Sequence, residues 1–233
     1  MNRHVICALD TPHLDEALGT VKKLKDHVGA FKIGHALTLS YGLDVLDRLR
    51  DAGAARIFLD LKFHDIPKSV ALAVAEAAKR GVWMMTLHIA GGPAMMTAAV
   101  EEARMAGDAS RPLLVGVSVL TSLDERTLQD QLGVNRTVEE HMCHLSRLAM
   151  EFDLDGVVCS AHEIKAIREA VGQRGVIVTP GIRLPDGEVH DQKRVGDAGT
   201  AIEHGADYLV IGRALTNSAD VEKTLEQFGL VGA

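Results

Sequence analysis

Residues 56–67 read RIFLDLKFHDIP and join an apolar strand to a cluster of charges. Apolar and other positions alternate from residue 56 to residue 62, which places Asp60 and Lys62 on one face of the strand. Both faces of a helix-covered parallel sheet are normally apolar, and a buried charge is costly unless it is paired. Asp65 adds a third charge beyond the strand, and Pro67 is typical of a helix start. The segment therefore predicts a functional site at a strand-to-helix junction, with a structural ion pair as the alternative.

The same strand-to-helix pattern recurs along the whole chain. Apolar and β-branched runs predict eight strands, at residues 5–10, 30–34, 56–62, 83–89, 113–120, 156–161, 175–182 and 208–212. Apolar stripes at helical spacing predict helices at residues 14–27, 39–52, 68–80, 94–106, 138–152, 163–171, 197–204 and 221–228. Glycines stand where helices should end, namely Gly29, Gly53, Gly81, Gly107, Gly172 and Gly205. This pattern predicts an α/β fold, a single (β/α)8 TIM barrel over residues 1–233.

An open sheet of the Rossmann type is the alternative fold. It would place G-x-G-x-x-G after its first strand, whereas Asp10 is followed by Thr-Pro-His. In a (β/α)8 barrel, functional groups collect at the carboxyl ends of the strands. Polar residues do collect there, as Asp10, Lys32, Asp60, Lys62, Asp65, His88, Thr121, Ser122, Arg183 and Arg213.

Composition narrows the class of protein. The 233 residues are 47% hydrophobic, which is enough for one substantial core. A formal net charge of −7 argues against binding of nucleic acid or an anionic membrane, because both need a concentrated basic surface. No segment approaches the roughly 18 apolar residues of a membrane helix, so a soluble, cytoplasmic protein is predicted. Cys7, Cys143 and Cys159 lack C-x-x-C spacing and are predicted to be reduced core residues.

The last two strands are followed by residues suited to a phosphate. Gly181-Ile182-Arg183 and Gly212-Arg213 combine glycine with arginine at the strand ends where such barrels often bind phosphate. The arginine fork matches a phosphate dianion. Residues 184–194 are polar and predict either a lid, whose Gln192 reaches the phosphate on closing, or a solvated loop.

Seven motifs together resemble the bacterial type of orotidine 5′-monophosphate decarboxylase. They are A-L-D ending at Asp10, F-K-I-G around Lys32, D-L-K-F-H-D-I-P at residues 60–67, L-T-S at residues 120–122, P-G-I-R at residues 180–183, D-Q-K-R at residues 191–194, and I-G-R ending at Arg213. D-x-K-x-x-D alone is shared with relatives that act on sugar phosphates. The narrower resemblance rests on F-H-D-I-P and on the pair P-G-I-R and D-Q-K-R.

The resemblance implies loss of CO2 from C6 of orotidine 5′-monophosphate to give uridine 5′-monophosphate, the last step of de novo pyrimidine synthesis, without metal or organic cofactor. Without an electron sink, the protein must stabilise a C6 carbanion electrostatically. Lys62, held between Asp60 and Asp65 with Lys32 nearby, would stay an ammonium group and deliver the proton to C6. Asp60 would lie against the substrate carboxylate and repel it, and this repulsion would ease as CO2 departs.

The resemblance also implies binding roles. Asp10 and Lys32 would bind ribose hydroxyls, Lys32 would also pair with Asp60, and Thr121, or Ser122 in its place, would contact the pyrimidine. The phosphate would be held by Arg183, Gln192, Gly212 and Arg213. Asp65, joined by Ser69, would reach the ribose in a neighbouring subunit's site, which makes a homodimer obligatory. His64 and His88 receive no role.

Two rival functions remain. One is a metal-dependent sugar-phosphate enzyme on the same scaffold, in which a carboxylate of the third strand binds Mg²⁺. Lys32 argues against it, because a cation in the same mouth would repel the metal. The other is a nucleotide-binding protein without chemistry, for which the four alternating charges Lys32, Asp60, Lys62 and Asp65 would be dispensable.

Overall fold

The computed structural model describes residues 1–183 and 197–230. Eight parallel strands pair in chain order and close into a barrel. The strands are β1 (Asn2–Ala8), β2 (Val28–Ile33), β3 (Ile57–Phe63), β4 (Met84–His88), β5 (Leu113–Val117), β6 (Gly156–Val158), β7 (Val176–Pro180) and β8 (Tyr208–Ile211). The helices are α1 (Leu14–Leu24), α2 (His35–Tyr41), α3 (Val45–Asp51), α4 (Pro67–Lys79), α5 (Pro93–Met105), α6 (Val138–Glu151), α7 (Ile164–Val171), α8 (Ala198–Glu203), α9 (Arg213–Thr216) and α10 (Val221–Gln227). The predicted TIM barrel is confirmed.

The apolar residues form two cores, one on each side of the sheet. The larger core lies between the strands and the surrounding helices and includes Ile57 and Leu59 of β3. The smaller core fills the barrel interior with residues that alternate with the outer set: Ile6, Ala8, Ala30, Phe58, Met84, Val115, Val178 and Val210. Since successive strand residues point to opposite faces, a residue two positions beyond an interior one points toward the barrel mouth. This places Lys32 after Ala30 and Asp60 after Phe58.

Helix α4 begins immediately beyond this mouth. Pro67 is its first residue, where the missing N–H of proline costs nothing and its fixed φ suits a helix. Val70, Val74 and Ala77 lie on one side of the helix and are buried against the sheet. The helix therefore holds the segment that follows β3 against the barrel.

The structure corrects two local predictions. The helix predicted at residues 39–52 is divided into α2 and α3, because Gly42 adopts the left-handed region with φ 64° and ends the first of them. Gly29 does not end a helix but lies within β2. A Cβ at Gly29 would meet the backbone oxygen of Arg3 at 2.7 Å, so glycine is needed there for close strand packing.

Strand β3 contains a bulge beside the barrel mouth. Leu59 is paired with Met85 of β4, whereas Phe63 is already paired with Leu87. Residues 60–62 of β3 therefore lie opposite the single residue Thr86. Within the bulge, Lys62 has φ 51°, a left-handed conformation that non-glycine residues rarely adopt.

Two further predictions concern the described residues. Cys7, Cys143 and Cys159 are free thiols, with Cys7 and Cys159 buried and Cys143 half-buried against the outer core. Across residues 1–183 and 197–230, no helix combines the length and the apolar character that crossing a membrane requires. Assignment of all 233 residues to a single domain stays a prediction.

Candidate active site

A cavity of about 810 Å³ opens at the carboxyl ends of the strands. Its volume lies in the range of roughly 300–1,000 Å³ that is typical of ligand sites. Most of the residues singled out in the sequence line it, namely Asp10, Lys32, Asp60, Lys62, Thr121, Arg183, Gly212 and Arg213. The fold thus brings together residues that lie up to 203 positions apart in the chain.

Four of these side chains form a row of alternating charge, here called the charge row: Asp10, Lys32, Asp60 and Lys62. Lys32 Nζ lies 2.9 Å from Asp10 Oδ1 and 3.5 Å from Asp60 Oδ2. Lys62 Nζ lies 2.9 Å from Asp60 Oδ1. The side chains of Lys32 and Asp60, at the centre of the row, are only 11% and 13% exposed. The end members, Asp10 and Lys62, are 67% and 32% exposed.

The buried centre of the row keeps its charges through mutual attraction. Burial disfavours the charged form of Lys32, but Asp60 and Asp10 outweigh this effect and raise the pKa of Lys32. Burial would likewise raise the pKa of Asp60, yet the charges of Lys32 and Lys62, together with hydrogen bonds, lower it. Because desolvation offsets much of the attraction, a buried row contributes little net stability. Its position in a cavity therefore favours a chemical role over a structural ion pair.

Thr86 of β4 belongs to this arrangement, although the sequence motifs did not predict a role for it. Its hydroxyl accepts a hydrogen bond from the backbone N–H of Lys62 at 2.8 Å and donates one to Asp60 Oδ1 at 3.0 Å. Thr86 is only 1% exposed. A signal was present in the sequence, because Thr86 follows the interior residue Met84 by two positions and so faces the mouth.

The far side of the cavity contains the two predicted phosphate segments. Gly181 has φ 80°, a left-handed backbone for which glycine is the suitable residue. Arg183 lies beside it in the cavity wall, and Gly212 and Arg213 face the same space from the end of β8. Gln192 and the rest of the predicted lid, residues 184–194, lie outside the described residues.

Some predicted site residues do not line this cavity. Asp65 is exposed, and its carboxylate accepts a hydrogen bond from the backbone N–H of Ile66. Ser69 is half-buried in the first turn of α4. The rings of His64 and His88 lie 5.3 Å apart beside Lys62, where burial and the charges of His64 and Lys62 lower the pKa of His88. The structure thus separates Asp65 and Ser69 from the charge row of their own chain.

The described residues offer no evident metal site. In the parts of the chain that the structure describes, no three His, Cys, Asp or Glu side chains converge in a manner suited to a metal ion. The buried carboxylate of the cavity, that of Asp60, lies between the ammonium groups of Lys32 and Lys62, which would repel a cation.

A closed parallel barrel with charged residues and glycine–arginine segments at its mouth defines the class of (β/α)8-barrel enzymes. Residues 3–228 match the family described as Orotidine 5'-phosphate decarboxylase / HUMPS family. This chain belongs to that family, so the resemblance of its motifs and the prediction of a decarboxylase enzyme are confirmed.

Individual relatives agree with this assignment. The orotidine 5'-phosphate decarboxylase of Coxiella burnetii (strain RSA 331 / Henzerling II) is 44% identical over 222 residues, which are 95% of this chain and 93% of the relative. That of Dichelobacter nodosus (strain VCS1703A) is 46% identical over 221 residues, 95% of each chain. A crystal structure of orotidine 5'-phosphate decarboxylase from Lactobacillus acidophilus has a TM-score of 0.82 and 31% identity, and the match covers 97% of this chain and 96% of that one.

Proposed function

We propose that this enzyme converts orotidine 5′-monophosphate to uridine 5′-monophosphate and CO2 in pyrimidine biosynthesis, without a cofactor. The observation that carries the proposal is the contact of 2.9 Å between Lys62 Nζ and the buried carboxylate of Asp60. This contact supports the proposed role of Lys62 as a proton donor beside a fixed negative charge within the cavity. Membership of the family and the names of the relatives support the same substrate.

The reaction needs a proton donor and a positive charge that stabilises the carbanion, and the charge row supplies both. When the bond from C6 to the carboxylate breaks, its electron pair stays on C6 and CO2 departs. The ammonium group of Lys62 stabilises that pair and then transfers a proton to C6, after which Lys62 regains a proton from solvent. Asp60 holds Lys62 in place and repels the substrate carboxylate, a repulsion that ends when CO2 leaves.

The rest of the cavity suits the rest of the nucleotide. Asp10 and Lys32 bind the ribose hydroxyls, and Thr121 contacts the pyrimidine. Arg183, Gly212 and Arg213 hold the phosphate, with Gln192 as a further ligand. Because phosphate binding occurs far from C6, its binding energy is available to organise the charge row before the reaction.

We also propose that the active unit is a homodimer in which Asp65 and Ser69 complete the partner's site. Two observations support this arrangement: Asp65 lies outside the cavity of its own chain, and two apolar residues that follow it in the sequence are exposed. Ile66 is 67% exposed and Leu72 of α4 is 53% exposed, and a subunit interface on this side of the molecule would bury them.

The experiment is an assay of CO2 release, or of the ultraviolet change from orotidine to uridine nucleotide, in excess EDTA. We expect full turnover of orotidine 5′-monophosphate, because Lys32 and Lys62 provide the positive charge that a metal would otherwise supply. Activity that disappears in EDTA and returns with Mg²⁺ would favour the metal-dependent sugar-phosphate function. Binding of uridine 5′-monophosphate without any turnover would favour a nucleotide-binding protein.

A further inference from the structure

A side chain of the neighbouring strand holds Lys62 in its left-handed conformation within the β3 bulge. Residues 60–62 lie opposite a single residue of β4, so the regular ladder of backbone hydrogen bonds cannot continue through this segment. The N–H of Lys62 instead reaches a side chain, the hydroxyl of Thr86, at 2.8 Å. An unpartnered buried N–H would be costly, so this contact stabilises the unusual backbone.

The same hydroxyl orients the carboxylate beside Lys62. A threonine hydroxyl has one hydrogen to donate, and since its oxygen accepts from Lys62 N–H, that hydrogen is directed to Asp60 Oδ1 at 3.0 Å. Asp60 Oδ1 also accepts from Lys62 Nζ at 2.9 Å. Backbone N–H, hydroxyl, carboxylate and ammonium therefore form a closed ring of three hydrogen bonds that begins and ends at Lys62.

We propose that Thr86 is a positioning residue of the decarboxylation: its hydroxyl fixes the backbone of Lys62 and the orientation of the Asp60 carboxylate, and so aligns the ammonium group with C6. This role rests on the proposed function. Thr86 touches neither substrate nor solvent, being 1% exposed, and acts through its two neighbours. It also helps to keep Asp60 ionised, since its hydrogen bond contributes to the lowered pKa of that carboxyl.

Three variants of Thr86 test the hydroxyl separately from packing. T86S and T86A both lose the methyl group and differ only in the hydroxyl, whereas T86V keeps the shape of the side chain and loses the hydroxyl. We expect T86A and T86V to lower kcat about 10- to 100-fold relative to T86S, as loss of a hydrogen bond to a charged group predicts. Affinity for uridine 5′-monophosphate should change by less than about threefold, since phosphate and ribose contacts remain.

The matched control is T179V. Thr179 of β7 is also fully buried, on the helix-facing side of the sheet because Val178 faces the barrel interior, and within residues 1–183 and 197–230 its hydroxyl has no hydrogen-bond partner. T179V should therefore keep kcat near that of wild type. This result would show that a buried Thr→Val change in a strand does not by itself lower kcat.

A pH profile supplies a readout that packing alone would not change. Loss of the hydrogen bond from Thr86 raises the pKa of Asp60, so the acid limb of kcat should move to higher pH in T86A and T86V but not in T86S.

The outcomes separate the two proposals. Inactive wild type on orotidine 5′-monophosphate would overturn the proposed function and this role with it. Active wild type with T86A as fast as T86S, with an unmoved acid limb, would overturn the role of Thr86 alone. A fall in nucleotide affinity parallel to the fall in kcat would also count against it, because that pattern indicates general damage to the cavity.

Discussion

Lys62 lies where the charge row meets the open part of the cavity, with its side chain 32% exposed and its ammonium group 2.9 Å from Asp60. A proton donor needs this combination, because it must face the substrate and later exchange protons with water. The neighbouring Lys32 is only 11% exposed and pairs with two carboxylates, which suits an electrostatic rather than a proton-donating role.

The K62A variant should lose turnover while it keeps nucleotide binding. We expect kcat to fall by roughly 10⁴-fold or more, because the proton donor and the charge that stabilises the carbanion are removed together. Affinity for uridine 5′-monophosphate, measured by calorimetry, should persist through the phosphate and ribose contacts. K165A, which alters an exposed lysine of α7, is the control and should behave like wild type. Substantial turnover by K62A would contradict the assignment of this lysine.

Asp60 should produce a pH dependence of stability. Its folded-state pKa is lowered from the ordinary value of about 3.9, so the carboxylate contributes stability above that value and loses it as the pH falls through the folded-state pKa. We expect the free energy of unfolding of wild type relative to D60N to decrease as the pH falls below about 5, toward the lowered folded-state pKa of Asp60. Urea denaturation at each pH measures this difference. D108N, at an exposed aspartate, should show no comparable trend.

The strands owe their close packing to glycines at a few positions. A Cβ at Gly156 of β6 would lie 2.1 Å from the backbone oxygen of Val176 in β7, and backbone cannot move aside as a side chain can. Gly19 in α1 differs, since it is exposed and a Cβ there would meet no atom within 4 Å.

G156A and G19A should therefore change stability in opposite directions. We expect G156A to lower the free energy of unfolding by about 1–3 kcal/mol or more through overpacking. G19A should raise it by about 0.5–1 kcal/mol, because alanine has the higher helix propensity. Thermal and urea denaturation of both variants measure the effect. Equal stability of G156A and wild type would mean that β6 and β7 separate more easily than their register indicates.

The strand–helix repeat positions the site as effectively as any single residue does. Alternation along β3 was sufficient to predict that Asp60 and Lys62 share a face, and the position of Lys32 near the end of β2 predicted that it joins them at the mouth. The bulge at residues 60–62 was not predictable from alternation, since it depends on the register between β3 and β4. Alternation also placed Thr86 at the mouth, but its contacts with Asp60 and Lys62 were not predictable because strand pairing brings these residues together.

The proposed homodimer is a property of the whole molecule and can be tested by mixing inactive variants. K62A and D65A should each be inactive alone. In a mixed dimer with shared sites, the D65A subunit keeps its own Lys62 and receives Asp65 from the K62A subunit, which leaves one intact site. Random mixing makes half of the dimers mixed, so we expect recovery of about a quarter of wild-type activity.

The unmixed variants, assayed at the same total concentration, are the control for this experiment. Failure of the mixture to exceed them, although the subunits are shown to exchange, would contradict a shared site. Asp65 would then have to act within its own chain, outside the cavity that the charge row occupies.

The amino-acid sequence was sufficient to predict the closed barrel, the family and the convergence of eight residues on one cavity. These features follow from local periodicity and from motifs at strand ends, which are both properties of residues close together in the chain. The distances within the charge row, the burial of Lys32 and Asp60, and the contact of Thr86 with Lys62 arise only when distant strands pair. Charge and hydrogen-bond energies depend on those distances and on exclusion of water, and chain order alone specifies neither.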